Sequence, residues 1–93
     1  MLTIVTVNME IATYPEEFSD DITIEIETDS EDHCIIVLSS RMGRILRMMG
    51  VNVIQGKNKV HFEDVTMLEA GTYQISVRNT NSNILYSSIL TKF

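Results

Sequence analysis

The chain has one cysteine, one proline, no tryptophan and only 7 lysines and arginines among its 93 residues. A lone Cys34 cannot close an internal disulfide, so packing alone must hold the fold, and the redox compartment is left open. Set against 13 aspartates and glutamates, the 7 basic residues leave a net charge of 7 − 13 = −6. Such a surface repels a phosphate backbone, so nucleic acid is not an expected partner. No stretch approaches the roughly 18 consecutive apolar residues that would predict a membrane-spanning helix. The opening MLTIVTVNMEIATYPEE has no basic region ahead of its apolar residues, which alternate with threonine instead of forming a helical block, so it reads as a strand and not as a signal peptide.

Catalytic and metal-binding patterns are equally scarce. Ser39, Ser40, Ser87 and Ser88 lie in no G-x-S-x-G elbow, and neither histidine is spaced from an acid in a way that suggests a triad. His33, Cys34 and His61 are metal-ligand types, yet neighbours on a strand point to opposite faces, so His33 and Cys34 do not converge on one ion. Cys34 reads instead as a small core residue and the histidines as solvated strand residues. The acidic segments Glu16, Glu17, Asp20, Asp21 and Asp29, Glu31, Asp32 offer the oxygen ligands calcium takes, but without the spacing of an EF-hand loop, and solvated loops account for them. The expectation is a non-enzymatic chain with no metal and no cofactor.

What the sequence has is alternation with a period of two. Ile22, Ile24 and Ile26 alternate with Thr23, Glu25 and Glu27, and Tyr73, Ile75 and Val77 with Gln74, Ser76 and Arg78, which places one row in a core and the other in water. Cys34 to Leu38, CIIVL, is an unbroken apolar run and suits a central strand covered on both faces. Further strands are expected at about Leu2–Val7, Arg44–Met49, Val51–Gln55, Val60–Phe62 and Ile84–Thr91. Between them stand turn residues: Gly43 in SRMGR where a short hairpin needs positive φ, Gly56 and Asn58 in GKNK, and the asparagines of NTNSN. About seven short strands with this punctuation predict an all-β, immunoglobulin-like antiparallel sandwich. The one helical candidate, RILRMMG, is too short between Gly43 and Gly50 to stand alone. A chain of this length holds one domain, burying roughly 60–65% of its unfolded surface. Six methionines, with Met42, Met48 and Met49 beside Arg41, Arg44 and Arg47, suggest either a binding patch or an alternation that hides half of them.

The segment ATYPEEFSDDITIEIE (residues 12–27) begins as a turn and ends as a strand. Pro15 fixes its own φ and holds Tyr14 extended, while Phe18 and Ile22 pack inward across a turn made by Ser19 and Asp20. From Tyr14 onward it resembles the opening of the C-terminal sorting domain of the type IX secretion system (type A, the Por secretion tail family), whose usual form is Tyr-Pro-Asn-Pro-Phe, a small polar pair and an alternating strand. CIIVLSSRMGRIL is similar to that family's strand, turn and strand, with Gly43 and Arg44 closing the hairpin. The final GKNKVHFEDVTMLEAGTYQISVRNTNSNILYSSILTKF is similar to its last block, with a Leu-x-x-Gly-x-Tyr signature at Leu68, Gly71 and Tyr73 and a terminal strand ending at Lys92. Glu16 and Glu17 replace the Asn-Pro half of the opening motif, and Ser87 and Ser88 stand where a lysine is common.

The resemblance covers residues 14–93; residues 1–13 are read as an edge strand or a lead-in. It implies a non-catalytic recognition domain, carried by a passenger from the periplasm to the cell surface, engaged by an outer-membrane translocon and removed by a surface sortase. It implies fold-determining roles for Tyr14, Pro15, Phe18, Gly43, Leu68, Gly71 and Tyr73, and translocon recognition through Ile89, Leu90, Lys92 and Phe93. Weak self-association through an edge strand is a further expectation. The Met1 start fits a second reading, a free-standing bacterial interaction or adhesion module without export. A carbohydrate-binding sandwich ranks last, because it needs exposed aromatics and the tyrosines and phenylalanines are assigned to core and turns.

Overall fold

In a computed structural model that describes residues 9–62 and 65–93, the alternating segments form eight strands in two sheets packed face to face. One sheet holds β1 (Met9–Tyr14), β3 (Ile22–Thr28) and β6 (Gly56–Phe62) in the order β1-β3-β6. The other holds β2 (Glu17–Phe18), β4 (Asp32–Ser40), β5 (Ile45–Val53), β7 (Gly71–Arg78) and β8 (Ile84–Lys92) in the order β2-β8-β7-β4-β5. All neighbours pair antiparallel except β2 with β8, which run parallel. The expected all-β sandwich is the observed fold.

The core is the inward row of each strand. Ile22, Ile24 and Ile26 from β3 meet Cys34, Ile36 and Leu38 from β4, with Ile75 and Val77 from β7 and Leu90 from β8, all fully or almost fully buried. The CIIVL strand is central, between β5 and β7. Val37 is buried on the opposite face from Ile36, as its apolar run predicts. Burial of the core thiol pushes the Cys34 pKa up, and the nearby Asp32 carboxylate pushes it the same way. Thiolate is the reactive form, so iodoacetamide at pH 8 is expected to leave Cys34 unmodified in the native protein and to alkylate it rapidly in denaturant. Rapid native labelling, followed by mass spectrometry, would show that the core opens there.

Three local differences from the sequence reading have physical causes. First, Ala12–Tyr14 are not a turn: they complete β1, in which Met9, Ile11 and Thr13 face inward and pair with β3 from Met9↔Thr28 to Tyr14↔Thr23. Second, the two strands expected around Gly50 are one, Ile45–Val53, because this glycine marks a close approach instead of a break. A Cβ there would lie 3.3 Å from the ring of His33 on the neighbouring strand. Third, β6 begins at Gly56 and not at Val60. Asn58 explains the extension, since its side-chain amide bonds the carbonyls of Ile26 and Ile54 and accepts from the Ile54 amide. The strand expected at Leu2–Val7 falls outside the described residues.

The β4–β5 hairpin closes as SRMGR indicates. Gly43, at φ 89°, donates to the Ser40 carbonyl at 2.9 Å, and the Ser40 amide donates to Arg44 at 2.8 Å. A three-residue loop with a left-handed third residue is the geometry a glycine serves best. The methionines divide, with Met42 and Met48 exposed (92% and 58%) and Met49 packed against the core.

Candidate recognition surface

The stretch around Pro15 is where the chain changes sheets. It leaves the first sheet at Tyr14, whose bond to Pro15 is cis, and joins the second at Glu17. There Glu17 and Phe18 run beside Thr91 and Lys92. The Thr91 amide donates to the Glu16 carbonyl at 2.7 Å, and the Phe93 amide to the Phe18 carbonyl at 3.1 Å. Phe18 is buried and turns its ring edge toward Tyr73, with centroids 6.0 Å apart and planes at 62°. The opening motif, the Leu-x-x-Gly-x-Tyr signature and the last strand therefore meet at one end of the molecule.

Tyr73 secures that end from the other side. Its ring is buried and its hydroxyl donates to the Glu69 carbonyl at 2.5 Å, the tyrosine corner of immunoglobulin-like sandwiches. Leu68 packs on the core, and its amide donates to Val65 at 3.1 Å. Gly71, at φ 153°, opens β7 opposite Lys92, in a conformation side chains rarely adopt. Tyr14 is partly exposed on the outer face of the first sheet, and Pro15 is exposed at the crossover.

The four residues implied in translocon contact separate into two kinds. Ile89 and Phe93 are 67% and 68% exposed and open to a partner. Leu90 is fully buried, and Lys92 keeps only 7% exposure, with its amine donating to the Phe93 carbonyl at 3.3 Å. The first pair is open to solvent, whereas Leu90 and Lys92 are held within the fold. Deleting residues 90–93 would remove a core side chain together with the surface, so single substitutions at Ile89 and Phe93 are the sharper probe. The β2–β8 pairing and the contact between Phe18 and Tyr73 were not foreseen from sequence. A buried aromatic isolated between Glu17 and Ser19 was the available signal.

The remaining candidates sit apart. His33 is exposed on β4, 2.7 Å from the Asn52 side-chain oxygen, while Cys34 next to it is in the core. His61 lies in the other sheet, near Thr23 at 3.1 Å and Asp21 at 3.8 Å. Among the described residues no three His, Cys, Asp or Glu side chains gather closely enough to hold a metal. Among the described residues no helix is long and apolar enough to cross a membrane. A shallow depression of about 240 Å³ on the outer face of the first sheet is lined by Glu10, Ala12, Glu25, Glu27 and Lys57, among others.

No family model and no curated protein matches the sequence. Among solved structures, the chain is similar to parts of three β-glucosidases. The Kluyveromyces marxianus enzyme aligns over 99% of this chain and 15% of its own, with a TM-score of 0.62 and 16% identity. The Listeria innocua enzyme in complex with isofagomine aligns over 94% and 16%, at 0.57 and 12%. The Bifidobacterium adolescentis GH3 enzyme aligns over 94% and 17%, at 0.55 and 12%. The chain spans 15–17% of these proteins' lengths, and at such identities the likeness is one of fold alone.

Proposed function

We propose that this chain is a non-catalytic recognition domain that directs a passenger through a type IX outer-membrane secretion system, with the translocon and surface sortase as its partners. The observation that carries the reading is the meeting of its motif segments: Glu16–Phe18 bond the last strand at Thr91 and Phe93, and Phe18 packs on Tyr73. A sorting signal read as a folded object needs its distant motifs held together, and this end of the sandwich does that. It leaves Ile89 and Phe93 exposed beside the junction. The route it implies is from periplasm to cell surface.

The test joins residues 9–93 to a fluorescent passenger with a signal peptide in a bacterium that has an intact type IX system. Residue 9 is the starting point because β1 belongs to the sandwich. Surface fluorescence that disappears when the translocon is deleted is the expected result, and a passenger retained in the periplasm overturns the reading.

The alternative, a bacterial interaction or adhesion module without export, is favoured by a different surface. The outer face of the larger sheet exposes Ile45, Met48 and Ile89, and β5, β7 and β8 contain no aspartate or glutamate although the chain carries −6 overall. Periplasmic retention in the export assay would leave this reading standing.

A further inference from the structure

We propose that the open edge of β8 pairs antiparallel with the same edge of a second copy of this chain, across a two-fold axis at Ser87. The inference does not depend on the sorting function. Among the described residues β8 has β7 on one side, but on the other only the two residues of β2, which cover Thr91 and Lys92. Because the Thr91 amide points away from β7 to Glu16, and successive residues of a strand alternate, Ile89 and Ser87 also turn their N–H and C=O groups outward. An edge of unpaired donors and acceptors is a template for another strand.

Chemistry separates this edge from the others. The exposed face of β6 alternates Lys57, Lys59 and His61, β1 carries Glu10, and β5 carries Arg47, whereas register shifts occur on both β5 and β8 and do not distinguish them. Charges of this kind protect an edge. From Ile84 to Thr91 β8 has no charged residue, while Ile84, Leu85 and Ile89 are exposed. For an acidic molecule this is the edge where a second copy meets the least repulsion.

The blocked positions set the register. Because β2 occupies the edge from Thr91 onward, the pairing window is Ile84–Leu90, whose centre is Ser87. A two-fold axis there places the exposed Ile89 opposite the partner's exposed Leu85, so apolar side chains meet across the join. One strand pair is a small interface, and the expected dissociation constant is on the order of 100 μM to 1 mM.

Sedimentation equilibrium of the full chain from roughly 10 μM to 1 mM tests this. The expected apparent mass rises from 10.6 kDa toward twice that value. Ser87→Pro removes an outward donor and spares the main-chain bonds to β7, losing there only the exposed side-chain bond that Ser87 accepts from Gln74 at 2.8 Å, and Ile89→Lys places a charge on the edge. Both variants are expected to stay at the monomer mass with unchanged circular dichroism, and Ile89→Lys with unchanged Tm. Should Ser87→Pro fail to fold, Ile89→Lys decides. A wild-type mass constant over the whole range, or association undiminished in the folded variants, overturns the pairing. Export measured separately leaves the sorting proposal to its own result.

Discussion

Phe18→Ala is expected to lower stability by about 3–5 kcal/mol, the range for removing a buried aromatic. Domains of this kind have on the order of 5–15 kcal/mol in total, so much of the molecule would be unfolded near physiological temperature. The effect has two sources. The ring is fully buried against Tyr73, and its loss leaves a cavity beneath the crossover. It also anchors β2, which has only two residues and joins β8 through the Glu16 and Phe18 carbonyls. The adjacent Glu17→Ala, on an exposed side chain, is expected to change stability by less than about 0.5 kcal/mol. Urea denaturation followed by circular dichroism measures both. A Phe18→Ala protein as stable as Glu17→Ala would mean that the crossover is not anchored by packing.

Tyr73→Phe is expected to cost about 1–3 kcal/mol while leaving the ring contact intact. The substitution deletes one oxygen and with it the bond to the Glu69 carbonyl, which ties the β7 entry to the preceding turn. For a domain of this size the loss corresponds to a fall in Tm of roughly 4–24 °C. Tyr86→Phe is the control. The Tyr86 hydroxyl shares a 3.0 Å hydrogen bond with Thr13 across the two sheets, but its surroundings are more solvated, and the expected loss is about 0.5–1 kcal/mol. If Tyr86→Phe proved the more costly, the strut between the sheets would matter more than the corner.

The strands with strict alternation were the most legible in the sequence. Ile22–Glu27, Tyr73–Arg78 and Ile84–Thr91 fall inside observed strands, because each sends alternate residues to the core, and Cys34–Leu38 does so as an apolar run buried on both faces. The SRMGR turn was legible for a similarly local reason, the positive φ at Gly43. What was missed depends on distant partners. Gly50 looked like a boundary because the ring it accommodates belongs to His33, on another strand. The two residues of β2 are too few to show a period, and only their bonding to a strand more than 70 positions later makes them a strand at all. In the candidate site, sequence named Phe18, Tyr73, Ile89, Leu90, Lys92 and Phe93 together, but only the sandwich sorts them into buried and reachable. Residue type cannot make that division: Leu90 and Ile89 are both aliphatic, and alternation sends one to the core and the other to water.

The central claim is that an exposed surface beside the junction of motifs is read by a translocon. It is tested most directly by surface delivery of the fluorescent passenger fused to the Ile89→Asp, Phe93→Asp double variant, compared with the wild-type fusion. Both side chains are exposed, so the isolated domains are expected to melt within a few degrees of each other. Delivery at least about tenfold below wild type, as if roughly 1.4 kcal/mol or more of recognition were lost, is the predicted result. Undiminished delivery by the double variant would contradict the account, because the reachable face of the last strand would then take no part in recognition.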